Sequence, residues 1–441
     1  MDILTRSQKI FIMLLNMGLI ILSTVGIFTN NFLPYNLVIQ DENMGGIRIS
    51  ELAGTLSRFE DALLDRNLIL SCNDKYYEYN LREVGVTTNK EEIEQEVLNI
   101  YNAGFLNVIK NYIGIYNNSK SLNLKYKVQR DIFFSKLKNL ENIELRQPQD
   151  AEFKYIDGRV EIIEGINGLE FDIERLIFLI EEECVSDEHI MLMMPFREVL
   201  PEVSSQELKA KGVNELIAYF TTQFNPDLVN RTSNLRIAVE AINGTVLPPG
   251  EVFSFNEIVG ARTIEKGYKT SPIYIGNQIS SGVGGGICQV SSTLYNAVLL
   301  ADLEVVERAN HSLTVPYVPL SRDATVSWNS VDFKFRNSTD AHIYIHAEIG
   351  KNDLTVELHG TSTGKKIVLK SERISTILPK TSYIYDESLE KGKEIVVTQG
   401  QPGYTSRLIK ETYVDDELVD RVIVSTDKYF PTTTIIKMSR L

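Results

Sequence analysis

The sequence predicts an α+β protein of several domains with one transmembrane helix at its N-terminus. Three observations lead to this prediction: an uncharged apolar stretch near the start, a middle region in which strand-like and helix-like patterns alternate, and a C-terminal region with strand-like patterns alone. The 441 residues leave room for about three domains of ~150 residues each. A hydrophobic content of 43 % and a charged content of 24 % are those of an ordinary globular protein.

The N-terminal stretch without charge comprises residues 10–40, and its first half is almost wholly apolar. About 20 such residues in a helix span the hydrocarbon core of a bilayer. Arg6 and Lys9 precede the stretch and acidic residues follow it, so the positive-inside rule places the N-terminus in the cytoplasm and the rest of the chain outside. We therefore predict that residues 1–30 form an uncleaved signal anchor of a single-pass cell-membrane protein. A cleaved signal peptide is the alternative, for which residues 23–26 (STVG) are a poor cleavage site.

Charge and cysteine content argue against several functions. The formal net charge of −14 argues against nucleic-acid binding, because affinity for phosphate comes from clustered Lys and Arg side chains. Cys72, Cys184 and Cys288 lie far apart without CxxC spacing, so neither a disulfide-stapled fold nor a zinc site is expected. We predict a protein that needs no metal and no other cofactor.

Residues 45–205 are predicted to form an α+β stalk domain that contains a degenerate internal repeat. One copy covers residues 77–100 and the other residues 160–182. Each copy has an alternating, strand-like stretch, a turn at Gly85 or Gly168, and a helix with apolar residues three to four positions apart. The pattern resembles peptidoglycan-binding modules that stand beside transpeptidase domains in exported bacterial proteins. An unrelated α+β spacer is the alternative.

Residues 212–360 are predicted to form a second α+β domain, and they contain the most specific motif of the chain. The motif is GGGICQVSSTLYN, with PPGEVFSFNEIVGART before it and RDATVSW and VDFKF after it. Together these segments resemble the VanW family over about a third of the chain. The family takes its name from an accessory gene of glycopeptide-resistance clusters. The resemblance implies a cell-wall context without an established reaction.

Cys288 is predicted to lie near the start of a helix, because apolar residues recur at helical spacing after it. Unpaired backbone N–H groups and the positive end of the helix dipole favour a thiolate at that place. Glycines before the helix permit a tight turn with positive φ. The turn and the polar residues around it are predicted to bind substrate; they are Gly284, Gly285, Gly286, Ser291, Ser292, Asn296 and Arg262.

His311 comes 23 residues after Cys288, following the strand-like LEVVER, and is predicted to approach the cysteine from an adjacent strand. Asp323 belongs to what the pattern predicts as the next strand. This order of Cys, His and Asp is similar to that of the transglutaminase and NlpC-type papain-like cores. Such a trio would make Cys288 the nucleophile, His311 the general base and Asp323 the group that orients the imidazole. Gln289 or the glycine-rich backbone would supply oxyanion donors.

Packing roles are the alternative for the same residues, since a lone cysteine is often buried as a small hydrophobic side chain. Two hypotheses therefore stand. In the first, a membrane-anchored extracytoplasmic protein binds peptidoglycan or its precursors, or assists their processing. In the second, a Cys-His-Asp amidase, peptidase or transpeptidase acts on peptidoglycan stem peptides.

The nearby His342, His346 and His359 are not expected to bind a metal, because no carboxylate stands at matching spacing.

Residues 365–441 are predicted to form a β-rich C-terminal module. Gly400 and Gly403 flank a turn, and Asp415-Asp416 marks a hairpin between two alternating stretches. The order of strand, Gly-x-x-Gly, strand and hairpin resembles the G-five module, an all-β extension of surface proteins that is thought to bind amino sugars. A generic β-domain that extends the protein is the alternative.

Overall fold

The computed structural model describes residues 5–29, 31–102, 105–137, 145–183, 190–275 and 278–439. Cys184, one of the three cysteines, lies outside these residues. Two compact units form: residues 1–148 with 167–200, and residues 149–166 with 201–441. The mixed α+β, multidomain organisation agrees with the prediction, while the four predicted domain boundaries stay predictions.

Helices and short strands alternate through the first unit and much of the second, and strands alone follow. In chain order the helices are α1 (Arg6–Thr29), α2 (Ile49–Leu64), α3 (Lys90–Asn102), α4 (Phe105–Asn117), α5 (Arg130–Lys136), α6 (Ile173–Glu183), α7 (Ser205–Ala210), α8 (Val229–Ile242), α9 (Phe255–Val259) and α10 (Ile287–Leu300). The strands are β1 (Leu37–Ile39), β2 (Glu42–Asn43), β3 (Asn67–Cys72), β4 (Lys75–Asn80), β5 (Val86–Thr88), β6 (Lys120–Leu122), β7 (Tyr126–Val128), β8 (Glu152–Ile156), β9 (Arg159–Ile163), β10 (Gly168–Phe171), β11 (Ile190–Met193), β12 (Phe196–Val199), β13 (Glu215–Gln223), β14 (Thr245–Leu247), β15 (Val252–Ser254), β16 (Thr270–Ile275), β17 (Gln278–Val283), β18 (Glu304–Glu307), β19 (Lys334–Arg336), β20 (Ile343–Ile349), β21 (Asp353–Gly360), β22 (Lys365–Ile377), β23 (Thr381–Tyr385), β24 (Glu394–Thr398), β25 (Gly403–Val414), β26 (Glu417–Tyr429) and β27 (Thr434–Met438).

One helix among the described residues is long and apolar enough to cross a membrane, and its apolar part is Arg6–Gly26. Most of its side chains are exposed, as expected of a helix whose apolar surface is not part of a protein core. A single N-terminal apolar helix is therefore present. Its length and composition fit a signal anchor or a signal peptide.

The first unit is built around a small sheet in the order β11-β3-β4, in which β11 runs parallel to β3. The amphipathic helix α2 buries Leu52, Leu56 and Leu63 in the same core as Leu68 and Leu70 of β3. The predicted repeat has the expected element order, since β5 leads into α3 and β10 leads into α6. The helices of both copies bury their apolar faces in this core, as their spacing predicts.

An antiparallel sheet in the order β13-β21-β20-β14 forms the centre of the second unit. Helices α8 and α10 pack against it. From α8 the apolar positions Leu235, Val239 and Ile242 are buried, and from α10 the positions Val290 and Leu294. These spacings of three and four residues are those that place side chains on one face of a helix.

The hairpin β8–β9 lies within the predicted stalk domain but belongs to the second unit. Its Tyr155 ring stacks on the His346 ring with 3.5 Å between centroids. The His359 ring nitrogen Nε2 lies 2.9 Å from a carboxylate oxygen of Glu357. These contacts account for the two histidines as packing residues of the central sheet.

The C-terminal strands form two sheets, in the orders β22-β25-β26 and β23-β27-β24. Asp415 and Asp416 have positive φ values of 49° and 60° and connect β25 to β26, so the predicted hairpin is present. Gly403, at the start of β25, lies so close to the carbonyl of Tyr429 that an added Cβ would be 2.4 Å from its oxygen. The β-rich C-terminal module is confirmed.

Candidate active site

The glycine turn before α10 has the conformation that its sequence predicts. Gly284 and Gly286 have φ values of 81° and 108°, which L side chains rarely adopt. Gly286 is the N-cap residue of α10. A Cβ on Gly285 would lie 2.5 Å from the carbonyl oxygen of Pro272 in β16. The three glycines therefore fix the start of α10 against a neighbouring strand, and this backbone requirement explains them without a ligand.

Cys288 occupies the first turn of α10 and is half-buried. Its Sγ lies 3.5 Å from the backbone N of Val326 and 3.7 Å from Oγ1 of Thr325. The His311 side chain lies close enough to interact with the thiol of Cys288 and lowers its pKa. The predicted start of the helix is thus confirmed, and the cysteine and histidine meet although 23 residues separate them.

His311 and Asp323 lie in an irregular segment, residues 308–333, so the strands predicted for them are wrong. Only isolated bridges such as Ala309 to Thr325 occur there. Strand pairing fails because proline in this segment supplies no N–H and because side chains from α10 satisfy several of its backbone groups. The segment still carries both side chains to Cys288.

Asp323 fixes the imidazole of His311 through one of its oxygens. Its Oδ2 lies 2.7 Å from the ring Nδ1 of His311 and accepts a hydrogen bond of 2.6 Å from the His311 backbone N–H. Since Nδ1 is occupied in this way, Nε2 is the ring nitrogen that contacts the sulfur. The result is a continuous chain of contacts from Cys288 through His311 to Asp323.

The charge states of Cys288, His311 and Asp323 follow from competing effects on their pKa values. Burial raises the pKa of Cys288, but the hydrogen bond and charge of His311 outweigh it, and the net pKa is lowered. Burial lowers the pKa of His311, but Asp323 and Cys288 raise it more, to about 9. Burial raises the pKa of Asp323, and the contact with His311 holds that pKa below its usual range. The pKa shifts of Cys288 and His311 both act in the direction of a thiolate on Cys288 paired with an imidazolium on His311.

Arg308 and Tyr429 also contact Asp323, and the sequence reasoning missed both. Arg308 donates from Nε to the Asp323 carbonyl at 2.7 Å, and Tyr429 donates from its hydroxyl to Oδ1 at 2.5 Å. Arg308 could have been found, because it is a charged residue at the end of a strand-like segment, three positions before His311. No local signal points to Tyr429, which is 106 residues away from Asp323.

Ser291, Ser292 and Asn296, which are predicted to bind substrate, are buried and already hydrogen-bonded within the protein, so their role toward a substrate stays a prediction. Ser292 Oγ donates to the Cys288 carbonyl at 2.6 Å and accepts from the Ala324 N–H at 2.9 Å. Asn296 Nδ2 donates to the Arg322 carbonyl at 2.7 Å. These side chains fasten the segment that carries Asp323 onto α10.

Gln289, which is predicted as an oxyanion donor, is likewise hydrogen-bonded within the protein. Its amide Nε2 donates to Thr222 Oγ1 at 2.9 Å and to the Gln223 carbonyl at 3.0 Å, and its Oε1 accepts from Arg231 at 2.6 Å. Both amide protons are therefore used. The backbone N–H of Cys288 remains the better candidate, since N–H groups in the first turn of a helix have no intrahelical partner.

Arg262, the remaining predicted binding residue, is held by its neighbours. Its Nη1 donates to Asn256 Oδ1 at 2.6 Å, and its guanidinium lies 5.7 Å and 5.8 Å from the ring centroids of Phe255 and Trp328. Burial lowers the pKa of Arg262, partly offset by the charge of Tyr268 and of other neighbours. In the structure the Arg262 side chain packs against the turn at Gly284.

A cleft of about 320 Å³ opens beside the start of α10. Apolar side chains form much of its wall, and polar groups of Arg231, Gln289 and Tyr317 line it as well. Burial raises the pKa of Tyr317 well above its usual value, and so does the charge of Cys288. The Tyr317 hydroxyl therefore keeps its proton and can donate a hydrogen bond.

Family models match three segments of the chain. Residues 230–359 match the model described as "VanW like protein". The central domain belongs to the VanW family. Residues 77–189 match the model described as "Putative peptidoglycan binding domain", and residues 369–438 match that of the G5 domain. The VanW domain thus stands between two domains of cell-envelope type, in a chain with an N-terminal apolar helix.

Two relatives are similar to part of the chain. The chain is 41 % identical to the uncharacterized protein YoaR of Bacillus subtilis (strain 168) over 187 residues, which cover 42 % of this chain and 61 % of YoaR. It is 33 % identical to the vancomycin B-type resistance protein VanW of Enterococcus faecalis (strain ATCC 700802 / V583) over 116 residues, or 25 % of this chain and 42 % of that protein. The chain therefore spans less than two thirds of the length of either relative.

Two solved G5 structures are also similar to part of the chain. The crystal structure of HP0197-G5 covers 17 % of this chain and 97 % of its own, with 19 % identity and a TM-score of 0.12. The IgA1 protease G5 domain covers 17 % of this chain and 92 % of its own, with 23 % identity and a TM-score of 0.14.

Proposed function

We propose that the VanW domain is a cysteine-dependent acyl-transfer enzyme that acts on an amide or peptide bond of peptidoglycan. Cys288 is the nucleophile, His311 the acid–base group and Asp323 the residue that orients it. One observation carries the proposal: the unbroken chain of contacts from Cys288 Sγ through the His311 ring to Asp323 Oδ2. A packing cysteine needs no such chain.

The reaction begins from the thiolate–imidazolium pair. The Cys288 sulfur attacks the carbonyl carbon, and the negative charge moves to the carbonyl oxygen, where the Cys288 N–H and the Tyr317 hydroxyl are the candidate donors. The imidazolium of His311 then gives its Nε2 proton to the departing amine, which leaves a thioester on Cys288. Neutral His311 next takes a proton from the incoming nucleophile. If the incoming nucleophile is water, the enzyme is a hydrolase. If it is a second amine, the enzyme is a transpeptidase.

The surroundings of the VanW domain support peptidoglycan as the substrate. The match of residues 77–189 to a peptidoglycan-binding model supports binding to the polymer by the same chain. The N-terminal apolar helix supports a site outside the cytoplasm, held at the membrane as a signal anchor. The cleft at Gln289, the residue after Cys288, combines apolar walls with few polar groups, which suits a short peptide.

The first test is the rate at which a small thiol reagent alkylates Cys288 as the pH is varied. Mass spectrometry of the Cys288 peptide separates this signal from Cys72 and Cys184 in the full-length chain. We expect fast alkylation with an apparent pKa below the ~8.5 of an ordinary thiol, and a higher apparent pKa in His311→Ala. His342→Ala, which removes a histidine far from Cys288 in sequence, serves as the control. Alkylation that appears only after unfolding would refute the proposal.

A second candidate function is binding to peptidoglycan without catalysis, and the match of residues 77–189 favours it. Incubation with insoluble peptidoglycan separates the two functions. The enzyme releases or joins stem peptides, and Cys288→Ala abolishes this product while binding to the polymer is kept. Equal binding by both proteins with no product from either would leave the binding role alone.

A further inference from the structure

The carboxylate of Asp323 is buried, and its two oxygens have separate partners. Oδ2 faces the backbone and ring nitrogens of His311. Oδ1 accepts a hydrogen bond of 2.5 Å from the Tyr429 hydroxyl, and the nearest Arg308 nitrogen, Nη2, lies 3.4 Å from it. Asp323 is only 1 % exposed, so water cannot replace a lost partner. A buried carboxylate without its donors rotates or loses its charge.

Tyr429, the last residue of β26, is itself fixed in place. Its hydroxyl accepts a hydrogen bond of 2.8 Å from the backbone N–H of Ser321 while it donates to Asp323. The side chain is 1 % exposed. Burial and the charge of Asp323 raise the pKa of Tyr429, so the hydroxyl keeps its proton throughout the physiological range.

Further contacts attach the G5 module to the segment that carries His311 and Asp323. Arg308 Nη1 donates to Asp427 Oδ1 at 2.8 Å, and the Phe430 N–H donates to the Ser312 carbonyl at 2.7 Å. The hydroxyls of Ser321 and Ser406 are 2.7 Å apart. Side chains and backbone of β25, β26 and the residue after β26 thus form the back wall of the site.

We infer that Tyr429 of the G5 module is a positioning residue of the VanW site: its hydroxyl holds the Asp323 carboxylate, which in turn holds the His311 ring on the Cys288 sulfur. This inference rests on the proposed function. Without the hydroxyl, Oδ1 has only the more distant Arg308 nitrogen. The carboxylate then turns toward Arg308, and its bond to His311 Nδ1 weakens.

The test compares Tyr429→Phe with wild type in the full-length chain, again by the pH profile of Cys288 alkylation. Phenylalanine keeps the ring and its packing and removes only the hydrogen bond. We expect alkylation below pH 8 to fall about tenfold, the effect of losing one hydrogen bond to a charged group, with the apparent pKa moving toward that of an ordinary thiol. The matched control is Tyr404→Phe, because Tyr404 is the partner of Tyr429 in the register of β25 and β26. We expect its pH profile to equal that of wild type.

A second variant guards against a folding defect in Tyr429→Phe. Incorporation of 3-fluorotyrosine at position 429 keeps the size of the side chain and makes the hydroxyl a stronger donor, so the apparent pKa should move in the opposite direction. A melting temperature measured for each protein reports any purely structural effect. Profiles that match wild type in both variants would overturn the inference. A wild-type Cys288 with an ordinary thiol pKa would instead refute the proposed function, whatever Tyr429 does.

Discussion

At Cys288 the pKa of the thiol results from opposing effects of burial and of neighbouring side chains. Burial alone would keep the thiol protonated. The His311 ring reverses this because Asp323 holds its other nitrogen, which raises the pKa of His311 to about 9. Charge at the sulfur is therefore a property of three residues, and substitutions at any of them should alter it together.

Ser292 provides a test of the residues that fasten Asp323 to α10. In Ser292→Ala the buried N–H of Ala324 loses its acceptor, so we expect a loss of about 1–3 kcal/mol in the free energy of unfolding. Ser291 is the matched control. Its hydroxyl only donates hydrogen bonds, to the carbonyls of Cys288 and Ala324, and both carbonyls also accept from Ser292, so its removal leaves no backbone group without a partner. Ser291→Ala should cost about 1 kcal/mol or less in urea unfolding. Equal losses in the two variants would contradict this assignment.

The sequence predicted the meeting of Cys288, His311 and Asp323 better than the contacts of the polar residues around them. Cys288, His311 and Asp323 follow from the order of the motif and the start of a helix. Ser291, Ser292 and Asn296 were assigned to a ligand because helical spacing puts them opposite the apolar face of α10. In the structure the irregular segment 308–333 covers that face, and its backbone groups are their partners. A helical wheel cannot show which later segment covers a polar face.

At the scale of elements, the contact between α10 and β16 depends on the glycine turn. Gly285→Ala would bring a Cβ within 2.5 Å of the Pro272 carbonyl oxygen and 2.8 Å of the Ser271 carbonyl carbon, both backbone atoms that cannot rotate away. We expect a loss of roughly 1–3 kcal/mol in unfolding free energy and slower alkylation of Cys288, because the helix start must shift.

Gly54→Ala in α2 is the matched control for that substitution. Nothing lies within 4 Å of a Cβ at Gly54, so the same change in side chain should leave stability equal or raise it by up to ~1 kcal/mol through helix propensity. Urea unfolding of both variants measures the difference. A Gly285→Ala protein as stable as wild type would show that β16 moves freely.

For the whole molecule, the second unit has one hydrophobic core that includes residues of both the VanW domain and the G5 module. Leu408 of β25 belongs to the same buried cluster as Leu294 of α10 and Leu358 of β21. Asp302, just after α10, is paired with Lys365 at 2.7 Å and also with Lys410. No sequence pattern indicated this shared core, because its contacts join residues from 50 to more than a hundred positions apart.

Asp302→Asn tests the charged part of this connection. Burial raises the pKa of Asp302, but the two lysines lower it more, so the folded-state pKa is depressed. The stabilisation is then fully present above the unfolded pKa of ~3.9 and is lost as the pH falls through the folded pKa. Asparagine tolerates the positive φ of 57° at this position, so the backbone should be unaffected.

We expect Asp302→Asn to lower the free energy of unfolding by about 1 kcal/mol at pH 7. The difference from wild type should shrink as the pH falls from 7 toward 3 and disappear once the pH has passed below the depressed folded pKa, where the wild-type carboxyl becomes neutral. Melting temperatures of both proteins between pH 3 and pH 7 measure this. A difference that stays constant over that range would mean that the charge of Asp302 does not matter.

The position of Tyr429 in the chain has a consequence for when the protein becomes reactive. Synthesis proceeds from the N-terminus, so Cys288, His311 and Asp323 are made more than a hundred residues before the tyrosine that completes their arrangement. An unfinished or prematurely terminated chain carries the nucleophile without its full support. If the role inferred for Tyr429 holds, the pKa of Cys288 is fully lowered only in chains whose synthesis has passed Tyr429.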